Sequence, residues 1–123
     1  MVDEETKEKI QDCIFCKISK EDSEEKILES DNFFVIKDIN PRTEGHSMVI
    51  PREHYQTLLD VPDSLLGEFL EVVKKTGFKL LKDTESKGFN LIMNNFSVSG
   101  QVVEHAHLHV VPRKDGDGFK VNV

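Results

Sequence analysis

The sequence predicts an α+β fold: an antiparallel sheet of about five strands with one long and one short helix. Three observations carry this. The apolar, β-forming runs are short and separated by turn residues. One segment alone keeps a 3.6-residue apolar period over roughly 20 residues, and it interrupts the strands instead of alternating with them. With 123 residues, the chain is one domain's worth. Residues 13–123 are read as that domain, and the charge-rich residues 1–12 as a flexible arm.

Taken in order, Ile14, Phe15 and Ile18 recur at i, i+1 and i+4, the spacing of a short helix between Cys13 and Lys20. Lys26 to Ser30 and Phe33 to Asp38 are strands turning at Asp31-Asn32. Asn40-Pro41-Arg42-Thr43-Glu44-Gly45 concentrates turn residues, and Ser47 to Ile50 is a third strand closed by Pro51. After Pro62, Leu66, Phe69, Leu70, Val73, Leu80 and Leu81 fall on one face of the long helix, whose interior Gly77 weakens. Phe89 to Asn94 and His105 to Val111 supply two more strands, joined by the loop Asn95 to Gly100.

Composition narrows the function. Hydrophobic residues make up 37%, enough for one core, and 16 Lys and Arg stand against 23 Asp and Glu for a net charge of −7. Such a balance argues against nucleic acid or an anionic membrane as partner, so any phosphate must be handled by a local site. No apolar run approaches the roughly 20 residues that cross a bilayer, and the start lacks a signal peptide's basic and apolar regions. The expected location is the cytosol. Cys13 and Cys16 lie three positions apart, and in a reducing compartment that spacing leaves metal binding, redox chemistry or plain packing.

His105, His107 and His109 alternate, and a strand puts alternating side chains on one face. Ala106, Leu108 and Val110 then point to the core. Neutral imidazole is a competent nucleophile near pH 7 and protonated imidazole a donor, so a row of them can divide the labour of attack on phosphorus. His107, flanked on both sides, is the expected nucleophile, with a backbone carbonyl as one candidate to orient its far nitrogen.

The run His105-Ala106-His107-Leu108-His109-Val110-Val111 resembles the signature of the histidine triad (HIT) superfamily of nucleotide hydrolases and transferases. The likeness extends from Asp12 to Phe119. It takes in Cys13-Ile14-Phe15-Cys16-Lys17-Ile18, Asp38-Ile39-Asn40-Pro41, Gly45-His46-Ser47-Met48-Val49-Ile50-Pro51 and Gly100-Gln101-Val102-Val103-Glu104, and is similar to the Hint-like branch with an N-terminal Cys-x-x-Cys. The resemblance implies that His107 attacks the α-phosphorus of a purine nucleotide conjugate and forms a covalent nucleotidyl-histidine that water resolves. It implies that His109 contacts the phosphate, that His46 hydrogen-bonds nearby, that Asp38 holds the ribose and that Ile39 walls the base. Asn94 and Gln101 match positions lining the phosphate and leaving group. Val102 replaces a common Ser or Thr, leaving its backbone N–H; Phe96 replaces a common Gly, and Glu104 an aromatic or small residue.

Two thiolates at the Cys13/Cys16 spacing suit tetrahedral zinc, which two histidines would complete. The resemblance implies a structural zinc held by Cys13, Cys16, His54 and His105, with no metal in the chemistry. His105 is then a ligand more than an acid. The leading expectation is a nucleoside phosphoramidase. The alternatives are a dinucleoside polyphosphate hydrolase and a zinc-stabilised nucleotide-binding module with little activity. Relatives also imply a homodimer whose sheets join, with C-terminal residues near the partner's site.

Overall fold

The computed structural model describes residues 12–121, so the expected arm, Asp12 apart, lies outside the described residues. Strands β1 (Lys26–Glu29), β2 (Phe33–Lys37), β3 (Ser47–Pro51), β4 (Gly88–Ile92) and β5 (Leu108–Arg113) form one antiparallel sheet in the order β1-β2-β3-β5-β4. Helix α1 is Ile14–Lys20 and helix α2 is Leu66–Thr84. The α+β expectation holds.

Strand β2 reads Phe-Phe-Val-Ile without alternation because both of its faces are covered. Phe33 and Val35, with Val49 and Val110, meet Phe69, Val72, Val73 and Leu80 of α2. Phe34 and Ile36, with Met48 and Ile50, meet Phe15, Cys16 and the α1 N-cap residue Cys13. Each fully buried Phe or Ile on these faces contributes about 1.5–3 kcal/mol relative to exposure.

The long helix departs from expectation on which residues face the sheet. Its buried set is Phe69, Val72, Val73, Thr76, Gly77, Leu80 and Thr84, whereas Leu70 is 63% exposed. Two polar residues join the buried stripe because the Thr76 and Thr84 hydroxyls donate to the carbonyls of Val72 and Leu80 at 2.8 and 2.7 Å. Gly77 is a point of close approach: a Cβ there would stand 3.1 Å from the ring of Phe89 on β4. Two 3₁₀ turns, Leu58–Asp60 and Asp63–Leu65, lead into α2, the first closed by a reciprocal Thr57/Asp60 capping box. Near its start, Glu68 accepts from the Ser30 hydroxyl and from the backbone and side-chain N–H groups of Asn32, pinning the β1–β2 turn.

The last strand begins at Leu108, not at His105 as the alternation predicts. The segment before it is drawn off the sheet: the Ala106 N–H donates to the Tyr55 carbonyl at 2.6 Å, and His105 turns into the cysteine pair. Leu108 and Val110 do face the α2 core.

Candidate active site

The register of the sheet brings the site together. Ile36 pairs with Met48, and Met48 and Ile92 both pair with His109. One step beyond β2 and β3, the Asp38 N–H donates to the His46 carbonyl at 2.9 Å. Asp38, His46 and His109 therefore share the α1 face with Ile36 and Met48, and a one-residue slip in any strand would remove its contribution.

Backbone groups set the tautomer of each imidazole. The Nδ1–H of His107 donates to the His105 carbonyl at 2.7 Å, which leaves the lone pair on Nε2. The Arg42 N–H donates to Nδ1 of His46 at 3.0 Å, so neutral His46 carries its proton on Nε2. That proton is donated to Nδ1 of His109, 2.9 Å away, and neutral His109 is left with its own proton on Nε2. The result is an acceptor nitrogen on His107 beside a donor nitrogen on His109, their ring centroids 5.1 Å apart. Burial pushes His109 down to about 4, helped by His107 and His46 and opposed by Asp38. Burial also lowers His46, with Asp38 again opposing. Both rings are thus neutral near pH 7.

Asp38, His46 and His109 have donor atoms within 4.8 Å of one another. They are not arranged as a metal site, because the free lone pair of His46 is already occupied by the Arg42 N–H. The Asp38 carboxylate stands 3.5 Å from His46 Nε2 and 3.6 Å from His109 Nδ1, with one oxygen taken by the Asn40 N–H.

These residues border a cleft of about 600 Å³. Its lining combines the apolar Ile14, Phe15, Ile18 and Ile36 with Asp38, Ile39, His46, His107 and His109. The volume falls in the range of small-molecule sites. Ile39, 92% exposed, and Val102, 89% exposed, form two lips. Asn94 and Gly100 also line the cleft, and a Cβ at Gly100 (φ 106°) would press against the Asn94 side chain.

Gln101 is placed differently from expectation. It is buried outside the cleft lining, and its amide is fully spent on backbone: Oε1 accepts from the Phe96 N–H at 2.7 Å, while Nε2 donates to the Gln56 and Val103 carbonyls at 2.6 and 3.0 Å. Gln101 clamps the loop from within. Phe96, at the start of that loop, adopts φ 73° and ψ 153°, a region used almost only by glycine.

His105 belongs to a second centre. Its Nε2–H donates to the Pro51 carbonyl at 2.8 Å, so Nδ1 offers a lone pair to Cys13 Sγ at 3.3 Å and Cys16 Sγ at 3.5 Å. His54 Nδ1 lies 3.2 Å from Cys16 Sγ. For zinc bonded at about 2.3 Å to sulfur and about 2.0–2.1 Å to nitrogen, tetrahedral geometry puts S and N roughly 3.6 Å apart. These three separations are within a few tenths of an ångström of that value, and all four donor atoms lie within 4.8 Å of one another. Burial pushes the Cys16 thiol up to about 12, with Cys13 adding to it, and holds His105 down to about 4. The neutral Cys16 thiol is what a dication would deprotonate.

Sequence reasoning treated Phe15 only as packing, yet its ring lies edge-on to both His105 (5.7 Å) and His107 (5.2 Å) and lines the cleft. Its place inside Cys-x-x-Cys is the one signal that could have found it. The supporting Arg42 N–H and the Pro51 and Tyr55 carbonyls have no side-chain signature.

An imidazole with a fixed lone pair, a neighbouring donor nitrogen and a cleft of small-molecule size are the parts a histidine-based hydrolase needs. The particular family follows from comparison: the HIT domain family matches residues 19–116, and the chain belongs to it. A HIT-like protein of Methanocaldococcus jannaschii is 42% identical over 107 residues, covering 86% of this chain and 82% of the relative. An adenosine 5′-monophosphoramidase of Candida albicans is 40% identical, covering 84% of this chain and 71% of that protein. A zinc-bound histidine triad family protein of Mycobacterium smegmatis superposes with a TM-score of 0.81 at 35% identity, covering 89% of this chain and 81% of that one. In this chain Cys13, Cys16, His54 and His105 are a group of donors that could hold such an ion.

Proposed function

We propose that the protein is a nucleoside phosphoramidase-type hydrolase acting at the α-phosphate of a purine nucleotide conjugate. The observation that carries this is the tautomer lock on His107: its Nδ1 proton is held by the His105 carbonyl at 2.7 Å, which directs the Nε2 lone pair to attack. In the first step the Nε2–P bond forms and the bond from phosphorus to the leaving amine breaks, the amine taking a proton from solvent water. In the second, water attacks phosphorus and gives its proton to solvent, the N–P bond breaks with its electron pair returning to Nε2, and nucleoside monophosphate leaves. His109, through its Nε2–H, donates to a phosphoryl oxygen and stabilises charge that grows there. The Asp38 carboxylate, with Oδ1 accepting from the Asn40 N–H and Oδ2 3.5 Å from His46 Nε2, has lone pairs left to accept from ribose hydroxyls. The apolar lining of Ile14, Phe15, Ile18 and Ile36 would receive the base, with Ile39 as a wall. Asn94 and the Val102 N–H attend the phosphate and leaving group. Zinc takes no part in these bond changes; when bound it ties α1 to the triad segment.

Turnover of adenosine phosphoramidate, guanosine phosphoramidate and diadenosine tetraphosphate by one preparation tests the reading. Phosphoramidate should be cleaved at least tenfold better than the tetraphosphate. The reverse order would make the protein a dinucleoside polyphosphate hydrolase, and binding without turnover of any would make it a binding module.

We also propose a homodimer through the β4 edge. Phe89 and Leu91 on β4 and Leu70 and Phe78 on α2 are 40%, 46%, 63% and 68% exposed, and Phe89 packs on Gly77 beside Phe78. A second copy would extend the sheet and cover this patch. Sedimentation should give a dimer, and Phe78→Asp a monomer. Among the described residues no helix is long and apolar enough to cross a membrane. A cytoplasmic location and a small-molecule substrate, with no nucleic acid or membrane partner, complete the proposal.

A further inference from the structure

Residues 52–57 form neither helix nor strand, yet consecutive groups along this segment bind three separate parts of the site. At its start the Pro51 carbonyl accepts from His105 Nε2–H at 2.8 Å. His54 Nδ1 reaches Cys16 Sγ at 3.2 Å. The Tyr55 carbonyl accepts from the N–H of Ala106, the residue between the metal ligand and the nucleophile. The Gln56 carbonyl accepts from Gln101, whose amide in turn holds Phe96 and Val103 on either side of the phosphate-facing loop. The segment is a strap with the cysteine cluster at one end and the catalytic groups at the other.

We propose that this strap and His105 make the zinc site a positioning device for the reaction as well as a staple of the fold. His105 faces both ways: its Nδ1 points at the two thiols, and its carbonyl takes the Nδ1 proton that fixes the tautomer of His107. When His54 and His105 share one ion, the strap and the triad segment are held at a fixed separation, and so are the His105 carbonyl and the Gln56 carbonyl. Without that tie, the His105 ring keeps its Pro51 bond and its peptide the Ala106 N–H bond to Tyr55, but Tyr55 rides on a strap that His54 no longer anchors, so strap and peptide can shift together. A displacement of about 1 Å at such a support costs on the order of 10²-fold in rate. The effect falls mainly on kcat, because Asp38 is held by its backbone bond to His46, and α1, although it carries Cys16, also packs through Phe15 against Phe34, Ile36, Met48 and Ile50 of the sheet. This inference rests on the phosphoramidase reading for its kinetic arm only.

The test follows the His107 ring nitrogens by ¹H–¹⁵N NMR, together with kcat and KM for adenosine phosphoramidate, in zinc-loaded wild type, chelator-stripped wild type and His54→Ala. Far-UV circular dichroism checks that each is folded. The folded zinc-free forms should lose or broaden the His107 Nδ1–H resonance, and kcat should fall about 10- to 100-fold while KM moves less than about threefold; zinc returned to wild type should restore both. An unchanged resonance with kcat within twofold in folded, zinc-free protein would overturn the proposal and leave zinc as a staple. Should the stripped chain unfold, cadmium-loaded protein replaces it: the larger ion should shift the resonance and lower kcat, and an identical resonance and kcat would again overturn the proposal. A resonance that follows zinc in a protein that turns over no phosphoramidate would retain the positioning role and discard the phosphoramidase reading.

Discussion

The two faces of the sheet are built on different principles. The α2 face is held by area: Phe33, Val35, Val49 and Val110 against four apolar residues of the helix, with no direction to the contacts. The α1 face has its own apolar cluster around Phe15, Phe34, Ile36 and Ile50 and adds direction to it. Its polar groups are satisfied one by one by backbone, through the Arg42 N–H, the Pro51, His105 and Tyr55 groups, and the Gln101 clamp. The first face supplies stability that tolerates change of shape. The second gives up some of that tolerance to hold neutral imidazoles in chosen tautomers.

Substitutions should separate the two. The largest effect is expected from His107→Ala: kcat for a phosphoramidate falls at least about 10⁴-fold, while urea denaturation shows stability within about 1 kcal/mol of wild type. A comparable loss in both readouts would mean that the directional face also carries the fold. Next, Phe33→Ala on the α2 face should cost about 3–5 kcal/mol in the same denaturation measurement, with KM changed less than about threefold in whatever remains folded.

An intermediate effect comes from pH. Folded His109 sits near 4, and an unfolded histidine near 6.5. Between these values the unfolded chain binds more protons, so stability falls as pH drops through this window and is fully present above it. His109 alone should account for about 2 kcal/mol lost between pH 7 and pH 5. Urea titrations at the two values test this, and His109→Asn should flatten the slope; an unchanged slope would assign the pH dependence to His46 or His105. The smallest effect is at Phe96. With φ 73° and ψ 153° it occupies a glycine region, and Phe96→Gly should leave thermal stability unchanged or raise it by about 1 kcal/mol. A fall of more than about 1 kcal/mol would show that the half-exposed ring packs more than it strains.

The same contrast explains what could be read from residues alone. The α2 face was legible, because burying area leaves an apolar imprint: β2, β3 and the long helix stand where the patterns put them. Leu70 misled because periodicity alone cannot distinguish a core stripe from an exposed patch beside the sheet edge, and the buried threonines carry no apolar signal at all. On the α1 face, the sequence pointed to His46, Asp38, His107, His109 and the Cys₂His₂ set, since each is a chemically distinctive side chain and matched a family motif. A backbone carbonyl was a candidate to orient His107, and that of His105 does so; which main-chain groups hold the other side chains was not legible. Tautomers here depend on Arg42, Pro51 and His105 main-chain groups, which any residue could supply, and the His105–His107 stretch leaves the sheet for contacts some fifty residues away. Gln101 shows the limit from the other side: a residue type suited to phosphate is spent on backbone carbonyls, which only the loop's path decides.

The central claim is that His107 presents Nε2 to phosphorus. Intact-mass and peptide analysis of wild type and His107→Ala, mixed with adenosine phosphoramidate and quenched at alkaline pH within the first turnovers, tests it most directly. The account predicts one adenylyl group on His107 Nε2 of wild type and none on the variant. Turnover by wild type with no adduct at any early time, or an adduct on another residue that persists in His107→Ala, would contradict it.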